Sequence, residues 1–137
     1  MTLVLDASMT VTWLFTDEQT ESAHAVLRRV VAEGAIMPSL WRSGVANVRR
    51  NAERRDRCTD AYVDQSLAKL ARLPIKREEK TKEHAWGTTG TLAQQEDLTL
   101  YDAAYLELAL RKGMPLVSCD KALLATATRK KTEVLTA

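Results

Sequence analysis

Thr99-Leu-Tyr-Asp-Ala-Ala-Tyr-Leu-Glu-Leu-Ala-Leu-Arg-Lys112 runs through Gly113-Met114 into Pro115-Leu-Val-Ser-Cys-Asp120, and this stretch decides the fold class. Its first part is apolar on most of a helical surface, which suits a helix buried on several sides. Gly113 is the residue type that most often closes a helix, and Pro115 cannot continue one. Pro115–Ser118 is then a short β-prone run ending just before an acid, Asp120. Thr2-Leu-Val-Leu5 is a second such run, ending at Asp6. Ala35-Ile-Met37, Leu73-Pro-Ile75 and Glu133-Val-Leu135 are shorter candidates. Strands spaced by helices form βαβ units, so the chain reads as α/β with a central, mostly parallel sheet of about five strands. In such sheets ligands bind beyond the carboxyl ends of the strands, which draws attention to Asp6 and Asp120.

The remaining helical patterns lie between these runs. Glu21–Glu33 stops at Gly34 and is expected to gather Ala25, Val26, Val30 and Val31 near one face. Ser39 to about Arg54 starts with Ser39 as an N-cap after Pro38. Thr59–Arg72 spaces Tyr62, Val63, Leu67 and Leu70 in a helical pattern and is limited by Pro74. Glu78–Glu96 is polar at first, with Trp86 and Leu92 expected inward. Lys121–Lys130 is a short last helix.

The 137 residues suit a single domain, 1–137. A chain of this size buries roughly 70% of its unfolded surface without staples. Lys and Arg number 20 against 18 Asp and Glu, a net charge of +2. That bias, with a pI near 8.6, is too weak to argue for nucleic acid by composition, where the usual footprint is a pI above ~9. No run approaches the ~20 apolar residues of a membrane span. The N-terminus lacks the basic, then apolar, pattern of a signal peptide, so no membrane association is expected. Cys58 and Cys119 form no CxxC pair, and a reduced, cytoplasmic protein is the simplest reading. His24 and His84 are too few for a His-rich metal site. Any chemistry therefore falls to carboxylates.

Asp6 and Asp120 each stand where a strand gives way to a helix. Asp102 heads the most apolar helix, with Leu106 and Ala109 continuing its face. A carboxylate turned towards a core is costly unless it is paired, hydrogen-bonded or bound to a cation. Two readings stay open. In one, the acids cap helices: Thr99 with Asp102 has the [ST]-x-x-[DE] pattern, worth ~1 kcal/mol at a helix start. In the other, the three acids converge as oxygen ligands of a hard divalent cation. Such a cation activates water and stabilises in-line attack on a phosphodiester. The two are compatible, because helix N-termini favour negative charge.

Val4-Leu-Asp-Ala-Ser8, Pro38-Ser-Leu-Trp-Arg42 with Val45-Ala-Asn47, Leu100-Tyr-Asp-Ala-Ala-Tyr-Leu-Glu-Leu-Ala109 and Ser118-Cys-Asp120 stand in the order of the PIN-domain motifs. From Leu3 to about Val134 the chain resembles that family, and most of all the VapC-type ribonuclease toxins of toxin–antitoxin pairs. The resemblance implies a three-layer α/β/α sandwich, a homodimer and Mg²⁺- or Mn²⁺-dependent cleavage of RNA. It also implies a VapB-like antitoxin partner that blocks the acidic site. Asp6, Asp102 and Asp120 match the family's acidic, metal-binding and catalytic positions. Ser8, Asn47 and Ser118 match its supporting polar positions.

The chain departs from the family at the second acid. The family pattern W-R-x-E-V-A-N here reads Trp41-Arg-Ser-Gly-Val-Ala-Asn47, and Gly44 occupies the glutamate's place. Glycine inside a helix also costs ~1 kcal/mol relative to Ala. Close helix packing accounts for such a glycine; so does loss of an acid, with catalysis impaired while fold and partner binding persist. Beyond Gly44, Arg49, Arg50, Arg54, Arg55 and Arg57 crowd together with only Glu53 and Asp56. They read either as a solvated helix end or as a patch that guides RNA phosphates. Trp13, Trp41 and Trp86 are expected in packing, Tyr101 and Tyr105 in core or dimer contacts, and Cys119 in the interior. His24 and His84 read as surface residues. A non-catalytic PIN scaffold is the second functional reading. A flavodoxin-like receiver ranks below it, because it needs an early acidic pair and a late lysine.

Overall fold

The computed structural model describes residues 2–14, 20–39 and 60–136. Five short strands, β1 (Leu3–Leu5), β2 (Ala35–Pro38), β3 (Ile75–Glu78), β4 (Leu116–Val117) and β5 (Val134–Leu135), form one sheet. Its order is β3-β2-β1-β4-β5 and every pairing is parallel. The described helices are α1 (Ala7–Leu14), α2 (Glu21–Glu33), α3 (Asp60–Ala71), α4 (Thr81–His84), α5 (Thr88–Glu96), α6 (Leu100–Lys112) and α7 (Lys121–Arg129). The helix expected from Ser39 onward falls mostly outside the described residues. With it go Trp41, Gly44, Asn47, Arg49, Arg50, Arg54 and Arg55.

Side chains alternate across a strand, and that alternation sorts the core into two layers. Leu3, Val4 and Leu5 are fully buried. Val4 packs with Leu106, Leu108, Leu116 and Leu123, on the side of α6 and α7. Leu3 and Leu5 turn the other way, to Met9, Ala23, Val26, Val30 and Val117, on the side of α1 and α2. A strand covered on both faces must be apolar throughout, which is why β1 reads Leu-Val-Leu without a polar break. The Trp13 indole ties α1 to α2 by donating to the Ala23 carbonyl at 3.0 Å.

Helix ends follow local chemistry. Thr20 caps α2 through Ala23 N at 3.0 Å, and Thr99 caps α6 through Asp102 N at 3.1 Å. Gly113 closes α6 at φ 61°, where its amide reaches the Ala109 and Leu110 carbonyls. That left-handed conformation is cheap for glycine.

Several expectations need correction. The pattern over Glu78–Glu96 is not one helix. Glu78 ends β3 by accepting from the Lys80 amide and the Thr81 hydroxyl, both at 2.9 Å. A turn over Ala85–Gly87 then separates α4 from α5 and leaves Trp86 99% exposed, not inward. The buried stripe of α2 is Ala23, Val26 and Val30, spaced i, i+3, i+7. Ala25 and Val31 fall off that stripe and face solvent. Tyr105 is buried; Tyr101 is exposed, so of the two readings for it only a dimer contact stays open. Cys119 is half-buried rather than interior. His84 is also half-buried, its Nδ1 4.0 Å from Glu107 Oε1.

An ion pair sits within this apolar packing. Glu107 is 3% exposed and accepts from Arg111 Nε at 2.7 Å. Arg111 Nη2 also donates to Glu78 at 2.9 Å, which ties α6 to the end of β3. Burial pushes the Glu78 carboxyl up. The bonds from Arg111, the Lys80 amide and Thr81, with the guanidinium charge, outweigh it and hold the group at about 2. An acid lowered from its usual 4.5 adds stability above that value and loses it as the pH falls towards 2. Arg111→Met should therefore lower the unfolding free energy at pH 7 by about 2 to 3 kcal/mol, since it strands a buried carboxylate. It should also flatten the fall in stability between these two pH values. Urea titrations at several pH values check both, and an unchanged acid profile would refute the account.

Candidate active site

The chain leaves β1 for β2 and β3 on one side of the sheet, then returns to β4 on the other. The strand order reverses between β1 and β4. Parallel α/β sheets open a crevice at such a reversal, beyond the carboxyl ends of the two strands. Asp6 follows β1, and Ser118, Cys119 and Asp120 follow β4. Register holds the two ends together: Leu5 pairs with Val117, and the Asp6 amide donates to the Val117 carbonyl at 3.0 Å.

Asp6 is 5% exposed, and one of its oxygens, Oδ2, takes two hydroxyls. Ser8 donates at 2.8 Å and Ser118 at 2.6 Å. Each hydroxyl has one proton to give, and each also accepts an amide of the β4–α7 loop. Cys119 N donates to Ser8 Oγ at 2.9 Å and Asp120 N to Ser118 Oγ at 3.0 Å. The loop after β4 is thus bound to the loop after β1 through two serines and one carboxylate. Burial still dominates: it raises the Asp6 carboxyl above its usual 3.8, against the serine hydroxyls and the Ala7 and Ser8 amides.

Asp102 reaches the same place from the first turn of α6. Its carboxyl is raised by burial first, then by the negative charges of Asp6 and Asp120, with the Thr99 hydroxyl pulling the other way. The three acids therefore lie within reach of one another's charge. Asp120 serves twice, because its Oδ1 also caps α7 through Leu123 N at 3.1 Å. Among the described residues, no group of three or more His, Cys, Asp or Glu is drawn tightly enough to hold a metal ion. The donors that do gather are all oxygen, and they concentrate negative charge. That chemistry fits a hard divalent cation.

The structure brings Asp6, Ser8, Asp102, Ser118 and Asp120 together. Asn47, Gly44 and the four arginines lie outside the described residues. From the sequence, Tyr105 is expected in core or dimer contacts, with no part in the site, although its phenol stands within reach of the charges of Asp6 and Asp102. Its i+3 spacing from Asp102 was the available signal.

A family model of the PIN domain matches residues 3–129. The chain belongs to the PIN domain family. Nucleases of this family generally use divalent metal ions. The chain is 29% identical over 121 residues to Ribonuclease VapC3 of Mycobacterium tuberculosis strain CDC 1551, covering 88% of this chain and 84% of that protein. Ribonuclease VapC3 of strain H37Rv matches with the same values. Among solved PIN-like structures, PAE2754 from Pyrobaculum aerophilum superposes with a TM-score of 0.65 at 22% identity, covering 98% of this chain and 92% of that one. VapBC2 from Rickettsia felis, bound to a DNA fragment from its promoter, gives 0.66 at 11% identity and 99% and 98% coverage. FitAcB from Neisseria gonorrhoeae gives 0.63 at 14% identity and 98% and 96% coverage. The family resemblance read from the motif order is borne out, and so is the α/β sheet sandwich.

Proposed function

We propose that the chain is a Mg²⁺- or Mn²⁺-dependent endoribonuclease toxin of a toxin–antitoxin pair. The observation that carries this reading is the gathering of Asp6, Asp102 and Asp120 at the β1–β4 crevice, close enough that the charges of Asp6 and Asp120 raise the Asp102 carboxyl. Asp6, Asp102 and Asp120 would hold the ion, which when bound lowers the pKa of water and neutralises charge at the phosphodiester. Ser8 and Ser118 fix the Asp6 carboxylate. The N-terminal end of α6 favours the negative charge at Asp102. Asn47 matches a supporting polar position of the family. Arg49, Arg50, Arg54 and Arg55 draw RNA phosphates towards an otherwise repulsive pocket. The protein acts in the cytoplasm as a homodimer, and a VapB-like antitoxin covers the acidic crevice. Similarity to a ribonuclease over 88% of the chain supports the substrate class. No helix among the described residues is long and apolar enough to cross a membrane.

A second reading has its own observation. Gly44 stands where the family carries an acid, which favours a scaffold that binds antitoxin or nucleic acid without cutting. One experiment separates the two: RNA incubated with the protein and Mn²⁺ or Mg²⁺, and again with EDTA. The nuclease reading expects shorter products only with metal. RNA binding without products in any metal would favour the scaffold. In the same experiment, the variant with Arg49, Arg50, Arg54 and Arg55 all changed to Gln should flatten the salt dependence of RNA binding. Taking four cations away from the RNA phosphates would reduce the log–log slope by up to about 3. An unaltered slope would remove the patch from the mechanism.

A further inference from the structure

Tyr105 stands one turn beyond Asp102 on α6, so the two side chains leave the same face of the helix. It is 3% exposed, and its hydroxyl is a buried side-chain oxygen without a hydrogen-bond partner among the described residues. The serine hydroxyls beside Asp6 are already engaged. Asp6 Oδ2 takes both serine hydroxyls, those hydroxyls take the Cys119 and Asp120 amides, and Asp120 Oδ1 takes the Leu123 amide. Burial, then the charge of Asp6, hold the phenol well above its usual range, helped by Asp102; the nearby Ala7 amide, too poorly aligned to make a hydrogen bond, acts the other way. The group is therefore an O–H donor facing an acidic pocket. A buried hydroxyl left unmet is destabilising by roughly 1 to 3 kcal/mol. Phenylalanine would fill the same space without that cost, so the oxygen itself calls for an explanation.

We propose that Tyr105 is a positioning residue whose hydroxyl donates to a water held between Asp6 and Asp102. The inference rests on the nuclease reading above. A buried water needs two to four polar partners, and this site offers one donor and two anionic acceptors. A water that donates to both carboxylates and accepts from the phenol has one lone pair left, which could serve a divalent cation. Tyr105 thereby sets the orientation of a water at the acidic cluster without touching the reacting phosphate.

The test compares the parent, Tyr105→Phe and Asp102→Asn. Mn²⁺ affinity is read by calorimetry, and melting is followed in EDTA. The parent, labelled with ¹³C at the tyrosine Cζ, is titrated with Mg²⁺. Tyr105→Phe should melt no lower than the parent in EDTA, yet bind Mn²⁺ about tenfold more weakly, the lower end of the range expected for a group that orients ligands. The Tyr105 Cζ resonance should move with Mg²⁺ while that of exposed Tyr101 stays still. If the parent binds Mn²⁺ and Asp102→Asn weakens it, but Tyr105→Phe binds as the parent does and the parent's Tyr105 resonance never moves with Mg²⁺, the inference is overturned alone. If the parent binds no Mn²⁺, the nuclease reading falls and this one with it. Should Tyr105→Phe fail to fold, the resonance of the parent still decides.

Discussion

Asp102→Asn is expected to abolish RNA cleavage and to make the metal-free protein more stable. Both effects follow from one charge. At about 4 Å and an effective dielectric near 20, a unit charge pair is worth ~4 kcal/mol. After a heavy discount for desolvation this still amounts to at least about a hundredfold in cation affinity, at 1.4 kcal/mol per decade. Without a cation the same charge is harmful. The Asp102 carboxyl is raised above 3.8 by burial and by Asp6 and Asp120. For an acid raised on folding, the native state binds more protons, so stability falls as the pH rises through that window. The penalty is present once the pH exceeds that window, and asparagine removes it while keeping the shape. The Thr99 cap survives too, because it holds the Asp102 backbone amide and not the carboxylate. In EDTA the variant should therefore melt about 3 to 5 °C higher, the effect of roughly 1 kcal/mol in a domain of this size. With Mn²⁺ added, the order should reverse, since only the parent gains from binding. A variant that melts lower in EDTA would remove the repulsion argument, and undiminished cleavage would remove Asp102 from the site.

The parts of this molecule visible in the sequence are those set by local chemistry and period. β1 and β4 are legible because a strand covered on both faces is continuously apolar, and each ends at an acid. α6 is legible because Thr99 opens it and Gly113 closes it. The rest depends on contacts distant in sequence. Ser8 and Ser118 are 110 residues apart, and only the sheet order puts both hydroxyls on Asp6. Spacing offered no route to that, and the two serines entered through family resemblance. Glu78 reads as the start of a helix until Arg111, 33 residues on, is seen to hold it at the end of β3. Once Glu78 caps the following turn, Trp86 no longer sits on any helix face. Val31 and Tyr101 show a different limit. Val31 lies beside buried Val30 and Tyr101 two residues before buried Ala103, and a shift of one or two residues on a helix is enough to turn a side chain from core to solvent. The site shares this pattern: its acids were visible as strand and helix ends, while the hydroxyls that orient them were not.

Gly44→Glu is the change expected to add most. If the crevice is a PIN nuclease site lacking its second acid, a carboxylate at position 44 restores the missing charge. The same Coulomb arithmetic, discounted for a partly hydrated site, gives a gain in Mn²⁺ affinity of about tenfold or more. Cleavage of RNA should rise with it, because a more fully neutralised cluster lets an anionic substrate approach. The effect must depend on the other acids. In a double variant with Asp102→Asn the gain should shrink well below tenfold, since two groups that share one cation are not additive. Gly44→Ala separates charge from backbone: in the helix the sequence predicts there, it would remove the penalty of glycine, ~1 kcal/mol, without adding a ligand. It should raise stability and leave metal affinity unchanged. Calorimetry with Mn²⁺ and timed cleavage of RNA check the series. Equal affinity and equal cleavage in parent and Gly44→Glu would mean that the chain does not miss an acid there, and that its activity, or its lack of one, is decided by Asp6, Asp102 and Asp120 alone.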